Sequence, residues 1–169
     1  MPLPTEPVEL DSPESVGYRL SNMKYGPTKL LTGNGALTDN LHMSAPWEWN
    51  ISNQVWFFVR SRFHARPTYI IQCANWGNMR SVDLLNDRGI NSRHVLLSNT
   101  GHYSGQYWTV TKWDDGSYRL HNQFTGQNMS LAAKEGLTVD EGDREDQHWC
   151  LTKVTNEEVG NLVVTQRWK

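Results

Sequence analysis

The chain has 169 residues, with sixteen Lys and Arg against eighteen Asp and Glu, for a net charge of −2. Its 37% apolar and 20% charged residues, at a mean hydropathy of −0.64, suit one core under a polar surface and exclude a fibre, a disordered chain or a disulfide-dense miniprotein. The charge balance gives no general pull toward nucleic acid or anionic membrane, and no run approaches the ~18 apolar residues of a spanning helix. One excess stands out: eight Trp among eighteen aromatic side chains.

Taken in chain order, residues 1–15 are acidic and proline-rich, which reads as a disordered lead-in. Taking Met1 as the natural start, the basic region and apolar run of a secretory leader are missing, so a cytoplasmic protein is expected. Cys73 and Cys150, far apart and outside any zinc-ligand spacing, are then expected as reduced thiols.

From residue 16 onward the sequence repeats. Tyr18-Arg19-Leu20-Ser21-Asn22 is followed by Gly26 and Leu30. Tyr69-Ile70-Ile71-Gln72 is followed by Gly77 and Val82, and Tyr118-Arg119-Leu120-His121-Asn122 by Gly126 and Leu131. A second marker closes each unit: Gln54-Val55-Trp56, Gln106-Tyr107-Trp108 and Gln147-His148-Trp149. The local pattern is extended, with apolar and polar residues alternating and Gly, Asn and Asp at the joins. A single unit cannot bury its apolar face alone, so three units over about 16–66, 67–116 and 117–154 must share one core. The predicted architecture is all-β, a single β-trefoil domain over 16–169. Residues 155–169, where Gly160 to Trp168 resembles a further first strand, are expected to add a C-terminal strand or a homodimer contact.

Tyr-x-Leu-x-Asn, Gly, Leu and Gln-x-Trp, three times over, resemble the ricin B-type lectin family, including its cytosolic fungal members. The resemblance covers roughly residues 16–154. It implies that Trp56, Trp108 and Trp149 look into the core, and that Gln54, Gln106 and Gln147 tie loops or contact sugar. It also implies a sugar site built from an aspartate after the second strand, a stacking aromatic, and an Asn-Gln pair at Gln-x-Trp. Such a carboxylate accepts bonds from vicinal hydroxyls while a ring covers the apolar sugar face. Only the middle unit has the aspartate, Asp83, where the first has Leu31 or Thr32 and the third Ala132. Only the first has the pair, Asn53-Gln54, so no unit carries the full set.

From tyrosine to tryptophan the first two units are longer than the third, and the extra residues fall within 40–49 and within 91–97, running on to His102 and Tyr103. Trp47 and Trp49 in the first either cap the barrel mouth or form a ligand platform. Between the first two units, Arg60, Arg62 and Arg66 alternate beside His64, suited to an anionic group or to a solvated hairpin. No His spacing or Ser/His/Asp order supports metal or triad chemistry, and no cofactor is expected.

The leading expectation is a non-enzymatic carbohydrate-binding protein with one or two degenerate sites. Asp83, His102, Tyr103 and Gln106 form one candidate, and Trp47, Trp49, Asn53 and Gln54 the other. The alternative is an enzyme whose pocket lies between the two inserted loops, with an apolar substrate and His42, His94 or His102 as general acid or base. Protease inhibition is the third reading.

Overall fold

A computed structural model describes residues 2–10, 16–33, 40–48, 51–84, 93–134 and 136–154. Every regular element among them is a short strand or a single 3-10 turn. The first unit contributes β1 (Tyr18–Asn22), β2 (Leu30–Gly33), β3 (Leu41–Ser44) and β4 (Trp56–Arg60). The second contributes β5 (Tyr69–Cys73), β6 (Arg80–Leu84), β7 (Val95–Asn99) and β8 (Trp108–Lys112). The third contributes β9 (Tyr118–Asn122), β10 (Gly126–Ala132), β11 (Thr138–Glu141) and β12 (Trp149–Lys153).

The first and last strand of each unit build a closed barrel in the order β1, β4, β5, β8, β9, β12 and back to β1. Closure joins the two ends of the sequence, with Tyr18 opposite Lys153 and Asn22 opposite Trp149. The middle strands of each unit pair as hairpins, β2 with β3, β6 with β7 and β10 with β11. Alternation explains β1, whose Tyr18, Leu20 and Asn22 are buried while Arg19 and Ser21 are less so. Each first barrel strand ends in a turn with glycine at the same place. Gly26, Gly77 and Gly126 have φ of 61°, 57° and 78°, a backbone that side chains resist.

Trp56, Trp108 and Trp149 have no exposed surface and sit with Leu20, Ile71 and Leu120 in one shared core. Each indole Nε1 donates to the carbonyl of the hairpin strand in its own unit: Leu31 at 3.0 Å, Val82 at 3.0 Å and Leu131 at 2.9 Å. Phe58 fills the space between the starting tyrosines, edge-on to Tyr18 at 5.6 Å and Tyr69 at 6.0 Å. Cys73 and Cys150 are free thiols, and burial pushes Cys73 up to about 12.

Composition points to a disordered lead-in, yet residues 2–10 lie against the barrel. Pro7 bridges Thr111, Val8 N donates to Val110 O at 2.7 Å, and Leu10 N donates to the Tyr69 hydroxyl at 2.7 Å. The edge of β8 leaves backbone groups to pair and the segment supplies partners, which outweighs its polar composition. The proposed C-terminal strand, with Trp168, lies outside the described residues.

Candidate functional site

The three Gln-x-Trp glutamines occupy equivalent 3-10 turns and have the same local task. Gln54 Nε2 donates to Thr32 Oγ1 at 3.1 Å and Ala45 O at 2.9 Å, and its Oε1 accepts from Trp47 N at 2.9 Å. Gln147 Nε2 donates to Ser130 Oγ and the carbonyls of Asp140 and Glu141, and Oε1 accepts from Arg144 N. Gln106 Nε2 reaches Asn99 O at 2.8 Å, Asp83 Oδ2 at 3.2 Å and Ser98 Oγ at 3.3 Å, and Oε1 accepts from Gly101 N at 3.0 Å. Each side chain is buried with its amide hydrogens engaged inside the protein. In this arrangement the glutamine ties the returning chain to its own hairpin and leaves no N–H for a ligand.

The first-unit candidates separate. Asn53 and Gln54 are each 1% exposed, and Asn53 Oδ1 is enclosed with no hydrogen-bond partner among the described residues. Trp47 is half-buried and held by its backbone N–H to Gln54, and Trp49 lies outside the described residues.

The middle unit holds together better. Asp83 lies on β6 with Oδ2 accepting from Ser98 Oγ at 2.5 Å and from Gln106 Nε2. Oδ1 takes no hydrogen bond among the described residues and faces Gly105. A Cβ at position 105 would stand 2.6 Å from Asp83 Oδ1 and 2.3 Å from Leu84 O, so only glycine lets this turn approach the strand. The Asn of the first unit's Asn-Gln pair has no counterpart here for that steric reason. Gln106 also fixes Gly101, and with it the next two residues, His102 and Tyr103, both exposed. The Tyr103 ring covers Gly101, where an added Cβ would meet Cε2 at 2.4 Å. The loop and the carboxylate are thus positioned by one glutamine.

Sequence reasoning missed a contribution from the first unit. Phe63, on the connection from β4 to β5, stands edge-on to His102 with ring centroids 5.1 Å apart and is 76% exposed. His102 Nδ1 is hydrogen-bonded to the Tyr107 hydroxyl at 3.1 Å, and the Tyr107 ring lies 4.6 Å from that of His64. A lone Phe in a polar connection is the available signal, set among arginines that read as surface charge. Arg60 does not present a charge to solvent partners there: its guanidinium donates to the carbonyls of Ser61, His64 and Ala65.

No family model and no curated protein matches the sequence. Solved structures do. A mosquitocidal holotoxin superposes with a TM-score of 0.71 at 16% identity over 87% of this chain, which amounts to 18% of the holotoxin chain. The BEL beta-trefoil superposes at 0.62 and 15% identity, covering 90% of this chain and 99% of that one. SeviL, solved with asialo-GM1 saccharide, gives 0.59 at 19% identity, covering 82% and 98%. The fold is a β-trefoil. The chain spans under a fifth of the holotoxin it resembles, so the likeness carries the architecture alone.

At the hairpin end of the trefoil, the three units meet through bridges between Asn40 and Leu96 and between His94 and Thr138. An open depression of about 520 Å³ lies there, lined by Asn40, His42, His94, Leu96 and Leu137 among others. It brings together two of the three histidines proposed for an enzyme, and burial lowers the pKa of His42. The third, His102, belongs to the Phe63 cluster instead. No carboxylate lines the depression among the described residues. The placement of the insertions also needs correction, because Val95, Leu96 and Leu97 are β7 itself, paired with Leu84, Asp83 and Val82. The extra length of the second unit falls in the hairpin turn before β7, and residues 85–92 of that turn lie outside the described residues.

Proposed function

We propose that this trefoil is a non-enzymatic carbohydrate-binding protein of the ricin B-like kind, with its sugar site in the middle unit. The observation that carries this reading is Asp83. It is the one carboxylate at its place in the three hairpins, where Thr32 and Ala132 stand in the other units. One oxygen is anchored by Ser98 and Gln106, which fixes the orientation of the group, and the other is left to accept from a ligand hydroxyl pair. Glycine at 105 keeps a side chain off that oxygen. Tyr103, 59% exposed on the adjoining loop, supplies a ring face for the apolar side of a pyranose. That SeviL was solved with a saccharide agrees with this use of the fold.

Titration with galactose and N-acetylgalactosamine, followed by tryptophan emission and by calorimetry, tests it. Asp83→Asn keeps the shape and one acceptor but loses the charge, and is expected to weaken binding about tenfold or more. Silence of the wild-type protein toward both sugars, or equal binding by the variant, would remove the site.

A further inference from the structure

The connection between β4 and β5 spends more chain than the barrel needs. Eight residues separate Arg60 from Tyr69, which are paired, whereas five separate the equivalent pair Lys112 and Tyr118. The extra length is internally ordered. Arg60 ties three carbonyls of the turn, the Ser61 hydroxyl accepts from Phe63 N at 3.2 Å, and Ser61 Oγ lies 2.7 Å from His64 Nδ1. His64 Nε2 reaches Gln123 Oε1 of the third unit at 2.9 Å. With Nε2 donating to that carbonyl oxygen, Nδ1 accepts from Ser61. All this order ends in Phe63, whose ring has left the core and is the most exposed large apolar side chain among the described residues. A large apolar ring held rigid in water by polar contacts behind it is a contact surface in waiting.

The neighbours of that ring define what it fits. His102 meets Phe63 edge-on, with Nδ1 hydrogen-bonded to the Tyr107 hydroxyl, which leaves Nε2 as a further polar atom of the cluster. Tyr103, the next residue, offers a second exposed ring and a hydroxyl. Two rings with donors and acceptors between them match a chain of pyranoses, which present apolar faces rimmed by hydroxyls. The geometry points to an extended glycan site that crosses from the middle unit to the first: Asp83 takes one sugar, and Phe63 with His102 and Tyr103 takes the sugars that follow it. This rests on the carbohydrate reading at Asp83, and it names the ligand class as an oligosaccharide rather than a single sugar. Phe63 is its new specificity-determining residue.

The full chain is titrated with galactose and with the asialo-GM1 tetrasaccharide, in the wild type and in Phe63→Ala, Phe63→Trp and Asp83→Asn. The tetrasaccharide is expected to bind the wild type at least tenfold more tightly than galactose. Phe63→Ala should erase most of that advantage while leaving galactose affinity within twofold, and Phe63→Trp should restore it with a shift in its own emission. Because Phe63 is exposed, both variants are expected to keep the wild-type melting temperature. An unchanged tetrasaccharide advantage in Phe63→Ala overturns the platform while a loss in Asp83→Asn still upholds the sugar site. Dependence on Phe63 with indifference to Asp83→Asn overturns the joined site and the Asp83 reading together. A wild type that binds neither probe overturns both.

Discussion

Arg119 is a fully buried guanidinium on a strand position that faces outward from the barrel, and its Nε and Nη2 have no hydrogen-bond partner among the described residues. Its Nη1 stands 3.4 Å from Nδ1 of His121. A guanidinium keeps its proton, so the imidazole has to be the neutral acceptor in this pair. Burial first, and then the Arg119 charge, push His121 down from 6.5 to about 4. The unfolded chain therefore binds more protons than the folded one between those two values, and stability, complete above 6.5, falls as the pH drops toward 4. Allowing for the partial solvent contact of His121, the loss is about 1–2 kcal/mol. Urea midpoints measured from pH 7 to pH 4 should decline accordingly, and His121→Asn should flatten the decline. An equal slope in that variant would show that His121 is not its source. Asp115 and Asp140 enter this window only at its acid end, although burial acts to raise each. Hydrogen bonds from Ser117 and His148 outweigh it at Asp115, and those from Glu141 N and Arg144 at Asp140. Both carboxyls stay below their ordinary range, and their contribution disappears only at lower pH. Nothing in the sequence marks this pair, because Tyr118-Arg119-Leu120-His121 reads as an ordinary alternation with Arg119 in water. Asp83, by contrast, was marked by the resemblance to ricin B-type lectins, which implies an aspartate after the second strand, and the middle unit alone has it.

At the scale of elements, the repeat of Gln-x-Trp was readable from spacing, and the structural use of its glutamine was one of two readings left open by the resemblance. The structure shows four polar groups gathered by Gln106 alone. Gln106→Met fills the same space without them, leaving Gly101 N–H and Asn99 C=O to find water. About 2–3 kcal/mol of stability should be lost on denaturant unfolding, since buried groups lose their partners. Hydrogen exchange at the Gly101 amide should accelerate more than exchange in β8. If Gly101 stays as protected as before, the glutamine is not what holds this loop. The insertions were less legible. Counting residues between two markers gives the surplus but not the side of a strand on which it falls, and the register of β6 with β7 decides that. Phe63 escaped for a related reason: exposure of a ring in a connection follows from the turn that Arg60 ties, and Arg60 looked like a surface charge.

For the whole molecule, the sharing of one core by three units has a thermodynamic consequence. Trp56, Trp108 and Trp149 each come from a different unit, yet all have no exposed surface, and their indole bonds of 3.0, 3.0 and 2.9 Å are interchangeable. Neither a unit nor a pair of units closes the barrel, because β1 completes it only by pairing with β12. Removing any one indole should therefore weaken the entire fold by a similar amount rather than melt its own unit. Trp→Phe at each position deletes part of a packed ring and strands a buried carbonyl, a loss of about 2–4 kcal/mol. Three matched decreases in melting temperature, each with a single calorimetric transition whose van't Hoff and calorimetric enthalpies agree, are expected. A second transition in any variant, or one substitution without effect, would mean that the units are stable separately. The proposed Asp83 site would then answer to the middle unit alone. With one cooperative core, the Phe63 connection of the first unit and the Asp83 strand of the second keep a fixed relation, which a ligand crossing between them requires.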